Sequence, residues 1–422
     1  MRSGYRKTVL ENGIRVVSQK MPGVRSVSIG VWIDAGSRDE KSEENGISHF
    51  IEHLVFKGTK KRSAKEIAVA LESVGGSLNA FTGREHTCYY AKILEEHVEI
   101  ALDILSDILK NSLFKPVDFK REKSVVIEEI MDSEDTPSEL VFDHFMEALW
   151  GKHPLGRPII GTMQSVSRLK RRQVFDYLHR NYIHPRVVIA ASGKLIDHDK
   201  LVACVEKKFR FNQKSQKEIQ RKEELIPHPD KKVTKRKSAQ THVCLGLPNF
   251  SFTHPQKYAA LILSSILGGG MSSRLFQKIR EDLGLVYNIY SFSDFFEDSG
   301  VFGIYLGTNQ KKLIPATRLI LKEFSSVKRK RISRKELEHA KFQLKGGLIM
   351  GAESTTNQMN RLARHELFFG DYFSLDKTIS LIDEVKSIDV MEVATQLLDP
   401  DKLCMTVLGP VDKDALSKIN WK

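Results

Sequence analysis

The sequence predicts an α+β protein built from two diverged copies of one unit. Three observations carry this: strand and helix periodicities alternate through the first half, a polar stretch divides the chain near its middle, and both halves end on the same pattern. In the first half, Lys7–Val17 reads as a strand, and Val27–Ile33 alternates apolar residues with small or polar ones at the strand period. Gly46–Lys57 reads as a helix ended by Gly58, with Lys57 placed to favour the negative end of the helix dipole. Ala64–Val74 is a second helical run. Ser77–Thr82 and Thr87–Leu94 read as strands joined at Gly83-Arg84-Glu85, a hairpin signal. Val98–Leu109 and Pro116–Met131 follow as helices, the second opened by Pro116 with Asp118 in its first turn.

Asn212–Lys232 is almost wholly polar, carries Pro227 and Pro229 and lacks apolar periodicity, as expected of an interdomain linker. It divides the chain into expected domains at 1–211 and 233–422. Ahead of it, Val166 and Val174 enter a helix leading to Pro185, the run Val187-Val188-Ile189-Ala190 and Gly193. Val385 and Val393 do the same toward Pro400, Leu403–Leu408 and Gly409. The repeat rests on spacing rather than identities.

A chain of 422 residues exceeds what one hydrophobic core usually fills, and 41% hydrophobic with 28% charged residues is ordinary for a globular protein. The four cysteines, Cys88, Cys204, Cys244 and Cys404, are widely spaced and read as small buried hydrophobes in a reducing compartment. Arg2, Arg6 and Lys7 are not followed by the apolar core of a signal peptide, and no stretch approaches the ~20 apolar residues of a membrane span. A cytoplasmic protein with no membrane partner is expected. The net charge of +13 is scattered, with runs at Lys170-Arg171-Arg172, Lys231–Lys237 and Lys328–Arg331. No aromatic-interleaved basic motif accompanies them, so a solvated surface is expected and not a nucleic-acid partner.

His49-Phe50-Ile51-Glu52-His53 lies inside the first helix. Residues four apart share a helix face, so both imidazoles reach one metal, and Glu52 borders that face, close enough to act on a water there. Taken alone, the pentapeptide also suits a solvent-facing helix with incidental histidines. A catalytic zinc usually takes three protein ligands. The helix Pro116–Met131 offers Glu122, Glu128 and Glu129; at about 100° per residue, Glu122 and Glu129 fall about 20° apart, with Glu128 about 100° away. Val125 and Val126 flank Glu129, and two carboxylates on such a face are costly without a cation. A solvated charged stripe, with Lys120, Arg121 and Lys123 as neighbours, explains the same spacing.

The H-x-x-E-H order with a glutamate far downstream resembles the pitrilysin/insulinase class of zinc peptidases. Within that class the sequence is most similar to processing-peptidase β subunits and their bacterial relatives. Asn45-Gly46-Ile47-Ser48-His49-Phe50, Phe56-Lys57-Gly58-Thr59, Leu78-Asn79-Ala80-Phe81-Thr82 and His153-Pro154-Leu155-Gly156-Arg157 carry the likeness. It spans the whole chain, strongly over 45–165 and more weakly over 240–420.

The resemblance implies two similar α+β domains, each a mostly antiparallel sheet with helices packed on one face. It implies one zinc per chain, with His49, His53 and Glu129 as ligands, Glu52 as general base and Glu122 orienting a ligating histidine. Phe56 would line the pocket for the residue after the cut, and Asn79 and Ala80 would sit on an edge strand to which a peptide substrate adds. Glu139 and Asp143 match acidic positions that receive an arginine; by spacing alone they are an i,i+4 pair on an exposed helix. Arg280 and Tyr287 match a pair that grips substrate or transition-state oxygen. Gly268-Gly269-Gly270 before them reads as a turn between helices, since no G-x-x-x-x-G-K follows. The second half, without H-x-x-E-H, would be an inactive copy completing the substrate chamber. Because the class closes its chamber with four such domains, a homodimer sharing its active sites is implied. Two other readings of the same fold are a non-catalytic scaffold subunit and a peptide-binding protein without turnover.

Overall fold

The computed structural model describes residues 4–194, 197–210, 221, 225–419 and 421. Two compact units emerge, formed by the described residues of Met1–Met131, Arg157–Lys222 and Met350–Ser374, and of Asp132–Gly156, Glu223–Ile349 and Leu375–Lys422. Neither unit is one continuous stretch of chain. Residues 212–220 and 222–224 of the expected linker lie outside the described residues; Arg221 is bonded to Asp34 at 3.2 Å and Asp39 at 3.0 Å, and Lys231 already begins a strand.

The first unit holds strands β1 (Tyr5–Val9), β2 (Arg15–Lys20), β3 (Ser26–Ile33), β4 (Ser77–Thr82), β5 (Thr87–Leu94) and β6 (Val187–Gly193), ordered β1-β2-β6-β3-β5-β4. The second holds β7 (Lys231–Lys235), β8 (Thr241–Asn249), β9 (Val286–Phe295), β10 (Gly300–Thr308) and β11 (Cys404–Gly409), ordered β7-β11-β8-β10-β9. β2–β6 and β7–β11 are the parallel pairs, and every other pairing is antiparallel. Set β1 aside, and the two sheets have one topology. The α+β class and its internal repeat are therefore observed. The expected strand Lys7–Val17 is instead the β1–β2 hairpin, turned at Gly13 with φ +91°.

Each sheet packs most of its helices on one face, and one further helix covers the other. In the first unit Val27, Ile29, Val31 and Ile33 of β3 join the main core, while Trp32 packs with Met359, Leu362 and Ala363 of the helix Thr355–Phe369. The small residues of β3 make room for that helix: a Cβ on Gly30 would stand 2.9 Å from the Met359 sulfur, and Ser28 bonds Thr355 at 2.8 Å. In the second unit the helix Pro137–Trp150 does the same, and a Cβ on Gly246 of β8 would stand 2.8 Å from the Phe145 ring. Each covering helix thus lies, in sequence, among the elements of the other unit.

The repeated ends are also refined. Val166 and Val174 fall in two short helices, Met163–Arg168 and Arg171–Asn181, and Val385 lies between Leu375–Glu384 and Ser387–Leu397. In both places a lysine in extended conformation, Lys170 or Lys386, opens the second helix. Among the described residues no helix is long and apolar enough to cross a membrane.

Candidate metal centre and active site

The helix Ile47–Val55 starts where the backbone must turn left-handed: Gly46 has φ +91°, and a Cβ there would meet the Ile160 carbonyl at 2.7 Å. The backbone N–H groups of Gly46 and Ser48 at its start are held by the buried Glu40, whose Oε2 accepts from Gly46 N at 2.8 Å and Asn45 Nδ2 at 3.0 Å and whose Oε1 accepts from Ser48 N at 2.9 Å. Burial pushes the Glu40 carboxyl up to about 7, against the opposing pull of those donors. Ser48 donates to the Tyr177 hydroxyl at 2.7 Å, a second anchor. Ile47, Phe50, Ile51, Leu54 and Val55 are buried in the core, so the helix is pinned by its apolar face. His49, Glu52 and His53 are left half-buried on the remaining face.

On the helix Pro116–Asp135, Val126 and Ile130 are buried, Glu122 is buried with them, and Glu129 is partly open. The Glu129 Oε2 stands 3.4 Å from His53 Nε2 and 3.9 Å from His49 Nε2. The rings of His49 and His53 meet at 4.7 Å between centroids. One donor atom from each of His49, His53 and Glu129 lies within 4.8 Å of the others, two imidazoles and one carboxylate, a donor set that suits zinc. Burial, then the neighbouring His53, lowers the His49 pKa to about 4, which keeps its imidazole neutral and able to donate a lone pair. Glu122 Oε2 faces His53 Nδ1 at 3.5 Å, leaving the His53 Nε2 edge toward Glu129.

Glu52 points from the same helix to the edge strand β4, where Thr82 Oγ1 donates to its Oε2 at 2.5 Å. Burial raises the Glu52 pKa and the Thr82 bond opposes it. Leu78 and Ala80 pack toward the main core and Phe81 toward the opposite cluster, so Thr82 continues the Leu78–Ala80 face that meets the helix. Among the described residues β4 is paired with β5 alone, and its other edge carries no neighbouring strand. Asn79 and Ala80 lie on that edge strand. Phe56 is the C-cap of the histidine helix and packs partly buried against the core, 6.4 Å from the Tyr89 ring.

The other candidates lie in the second unit. Glu139 is exposed and Asp143 half-buried on Pro137–Trp150. Arg280, 42% exposed, stacks over the Phe276 ring at 4.6 Å in the short helix Phe276–Asp282, and Tyr287 is 66% exposed at the start of β9. Gly268 ends the helix Lys257–Gly268, and Gly269 caps it, as expected of an interhelical turn.

Three residues around the site were not singled out from sequence for the contacts they make here: Glu40, Thr82 and Lys57, whose ammonium lies 3.0 Å from Glu122 Oε1. Thr82 and Lys57 sit inside the motifs already quoted, but only a three-dimensional contact distinguishes them. Glu40 had a weak signal, an acidic residue a few positions before a helix start.

Comparison with known proteins decides the family. The chain matches the model "Insulinase (Peptidase family M16)" over residues 15–163 and "Peptidase M16 inactive domain" over 168–344. A zinc protease of Bacillus subtilis, YmxG, is 42% identical over 392 residues, covering 93% of this chain and 95% of that protein. The chain belongs to peptidase family M16. A zinc protease of Mycobacterium leprae is likewise 42% identical to this M16 chain, over 97% of it and 92% of the relative. Among solved structures, a Helicobacter pylori protease superposes with TM-score 0.90 at 22% identity, over 97% of this chain and 100% of that one. A chain of the Candida albicans complex III dimer gives 0.83 at 22%, over 96% of each, a likeness of fold alone. M16 membership makes the chain a metallopeptidase.

Proposed function

We propose that this chain is a zinc endopeptidase in which His49, His53 and Glu129 hold one zinc ion and Glu52 is the general base. The observation that carries this is the convergence of three donor atoms within 4.8 Å beside a carboxylate fixed by Thr82. Two imidazoles and the Glu129 carboxylate crowd one point beside the buried Glu122 carboxylate, negative charge that a cation relieves. A zinc ion there supplies Lewis acidity toward the scissile carbonyl and the attacking water. Glu52 takes the proton that water gives up as its oxygen bonds the carbonyl carbon, and delivers a proton to the departing amine nitrogen. Glu122 holds the His53 ring through Nδ1. The intact ligand set argues against a scaffold subunit of the same fold.

The substrate class is an extended peptide or unfolded segment, added as a strand along the free edge of β4 at Asn79 and Ala80, with Phe56 near the residue after the cut. Glu139 and Asp143 favour an arginine near the cut through charge-assisted bonds. The unit that carries His49, His53 and Glu129 is the zinc-bearing one and the unit that carries Arg280 and Tyr287 the silent copy, and Arg280 and Tyr287 of a second identical chain complete each site. The work is done in the cytoplasm.

The deciding experiment is Glu52→Gln beside His53→Ala. Glu52→Gln keeps about one zinc per chain by metal analysis and loses about 10²–10⁴-fold in peptide cleavage, the usual worth of general acid–base catalysis. His53→Ala loses both. Substantial turnover by Glu52→Gln, free of contaminating protease, overturns the base; full zinc on His53→Ala overturns the ligand set.

A further inference from the structure

Just past the histidine helix, Lys57 sits four residues after His53 and eight after His49, continuing their interval. Its backbone N–H still bonds the Leu54 carbonyl, and Gly58 turns the chain away at φ +123°. The Lys57 ammonium lies 3.0 Å from Glu122 Oε1 on the facing helix, and the other Glu122 oxygen lies 3.5 Å from His53 Nδ1. Glu122 is buried, with 3% of its side chain exposed, whereas Lys57 keeps 36% open to water. Among the described residues, Lys57 is the one lysine or arginine paired with this carboxylate.

Two physical arguments follow. Lys57 is the close partner of this buried carboxylate: it holds Oε1 at 3.0 Å, while Oε2, without a hydrogen bond of its own, faces His53 Nδ1 at 3.5 Å, so the Lys57 contact sets the rotamer that aims Oε2 at the ring. Charge balance points the same way: a dication and one ammonium against the carboxylates of Glu52, Glu122 and Glu129 leave the junction neutral. Without Lys57 it carries a net negative charge inside a half-buried site.

We infer that Lys57 is a positioning residue for the metal centre, acting through a Lys57–Glu122–His53 chain that fixes the orientation of the His53 ring. Its place near the helix C-terminus is then secondary to its partner on another element. This rests on the ligand set proposed above.

The test needs no peptide substrate. Zinc affinity of the full chain is measured by competition with a chromogenic chelator for wild type, Lys57→Met, Lys57→Gln, Lys57→Arg, Glu122→Gln and the exposed neighbour Lys60→Met. Removing such an outer partner of a ligating histidine weakens metal binding by about 10- to 100-fold. That loss is expected for Lys57→Met and Lys57→Gln, whichever of them folds, and for Glu122→Gln. Lys57→Arg, which keeps the charge, stays within about threefold of wild type, and Lys60→Met is unchanged. Lys57→Met combined with Glu122→Gln binds no more weakly than Glu122→Gln alone, because both act through one chain. Affinity of Lys57→Met or Lys57→Gln within about twofold of wild type overturns the inference. So does an equal loss in Lys60→Met, which would show a diffuse field. Failure of the ligand set reads differently: wild type binds no zinc, or His53→Ala binds it as wild type does.

Discussion

The two sheets share a topology, yet the same junction is closed by opposite chemistry in each. In the first unit the helix after β3, Ile47–Val55, sends Glu52 to Thr82 on the edge strand β4 and His53 toward Glu122 and Glu129 on Pro116–Asp135. In the second unit the helix after β8 is Lys257–Gly268. It sends Ser264 to Ser291 on the edge strand β9 at 2.9 Å and Ser265 to Gln343 on Arg334–Gly351 at 2.8 Å. One helix, one edge strand and one second helix meet in both. In the second unit the bonds are neutral, and each donor has an acceptor within the protein. In the first they are imidazoles and carboxylates, and His49 Nδ1 and Glu122 Oε2 remain without hydrogen-bond partners. A junction that must only hold elements together completes its own hydrogen bonds; one left electrostatically open is suited to a cation.

The comparison breaks most visibly if the silent copy turns out to have no part in the chemistry. Exchange subunits between a Glu52→Gln variant and one carrying Arg280→Ala with Tyr287→Phe, each nearly inactive alone. Random pairing makes about half the dimers mixed, and each mixed dimer holds one site with every residue intact, so about a quarter of wild-type activity returns. No recovery after demonstrated exchange sinks the shared site.

A smaller effect is expected at the Glu52–Thr82 contact. A hydrogen bond to a charged group contributes about 1.5–3 kcal/mol, so losing it where it aims the base should lower kcat by about 10- to 100-fold. Thr82→Val is expected to do this with KM and zinc content unchanged, and Thr82→Ser to restore most of the rate. A KM that rises while kcat holds would place Thr82 in substrate binding instead.

How much of this was legible depends on the range of the interaction. The β4–β5 hairpin and the spacing of His49, Glu52 and His53 are local, and the periodicity gives them directly. The Glu122–Glu129 stripe is also local, but that it faces the histidines is a contact across some 70 residues of sequence that spacing alone leaves open. Thr82 and Lys57 were invisible as partners for the same reason. The exchange of covering helices was hidden too: Thr355–Phe369 and Pro137–Trp150 are apolar enough on one side to cover a sheet, and nothing in that pattern names which sheet. Gly30 and Gly246 record the answer, but as small residues in strands they are recognisable only once the helices are in place.

The smallest effect tests whether the silent junction is purely structural. Ser265 is buried, and its hydroxyl donates to Gln343 Oε1, while the Gln343 amide donates to the Gly269 carbonyl at 2.8 Å. Ser265→Ala removes one neutral bond, and Gln343, itself exposed, turns to water for the missing donor. The loss is therefore about 1 kcal/mol, the usual net worth of such a bond, not the larger penalty of a stranded buried group. A lower denaturant midpoint with an unchanged slope is the expected signature, with kcat and zinc content as in wild type. The corresponding change in the first unit, at Glu52, is expected to do the reverse: activity collapses while the protein stays folded. If Ser265→Ala lowered kcat at unchanged stability, the neutral junction would be part of the catalytic apparatus, and the contrast between a junction that holds and one that reacts would fail.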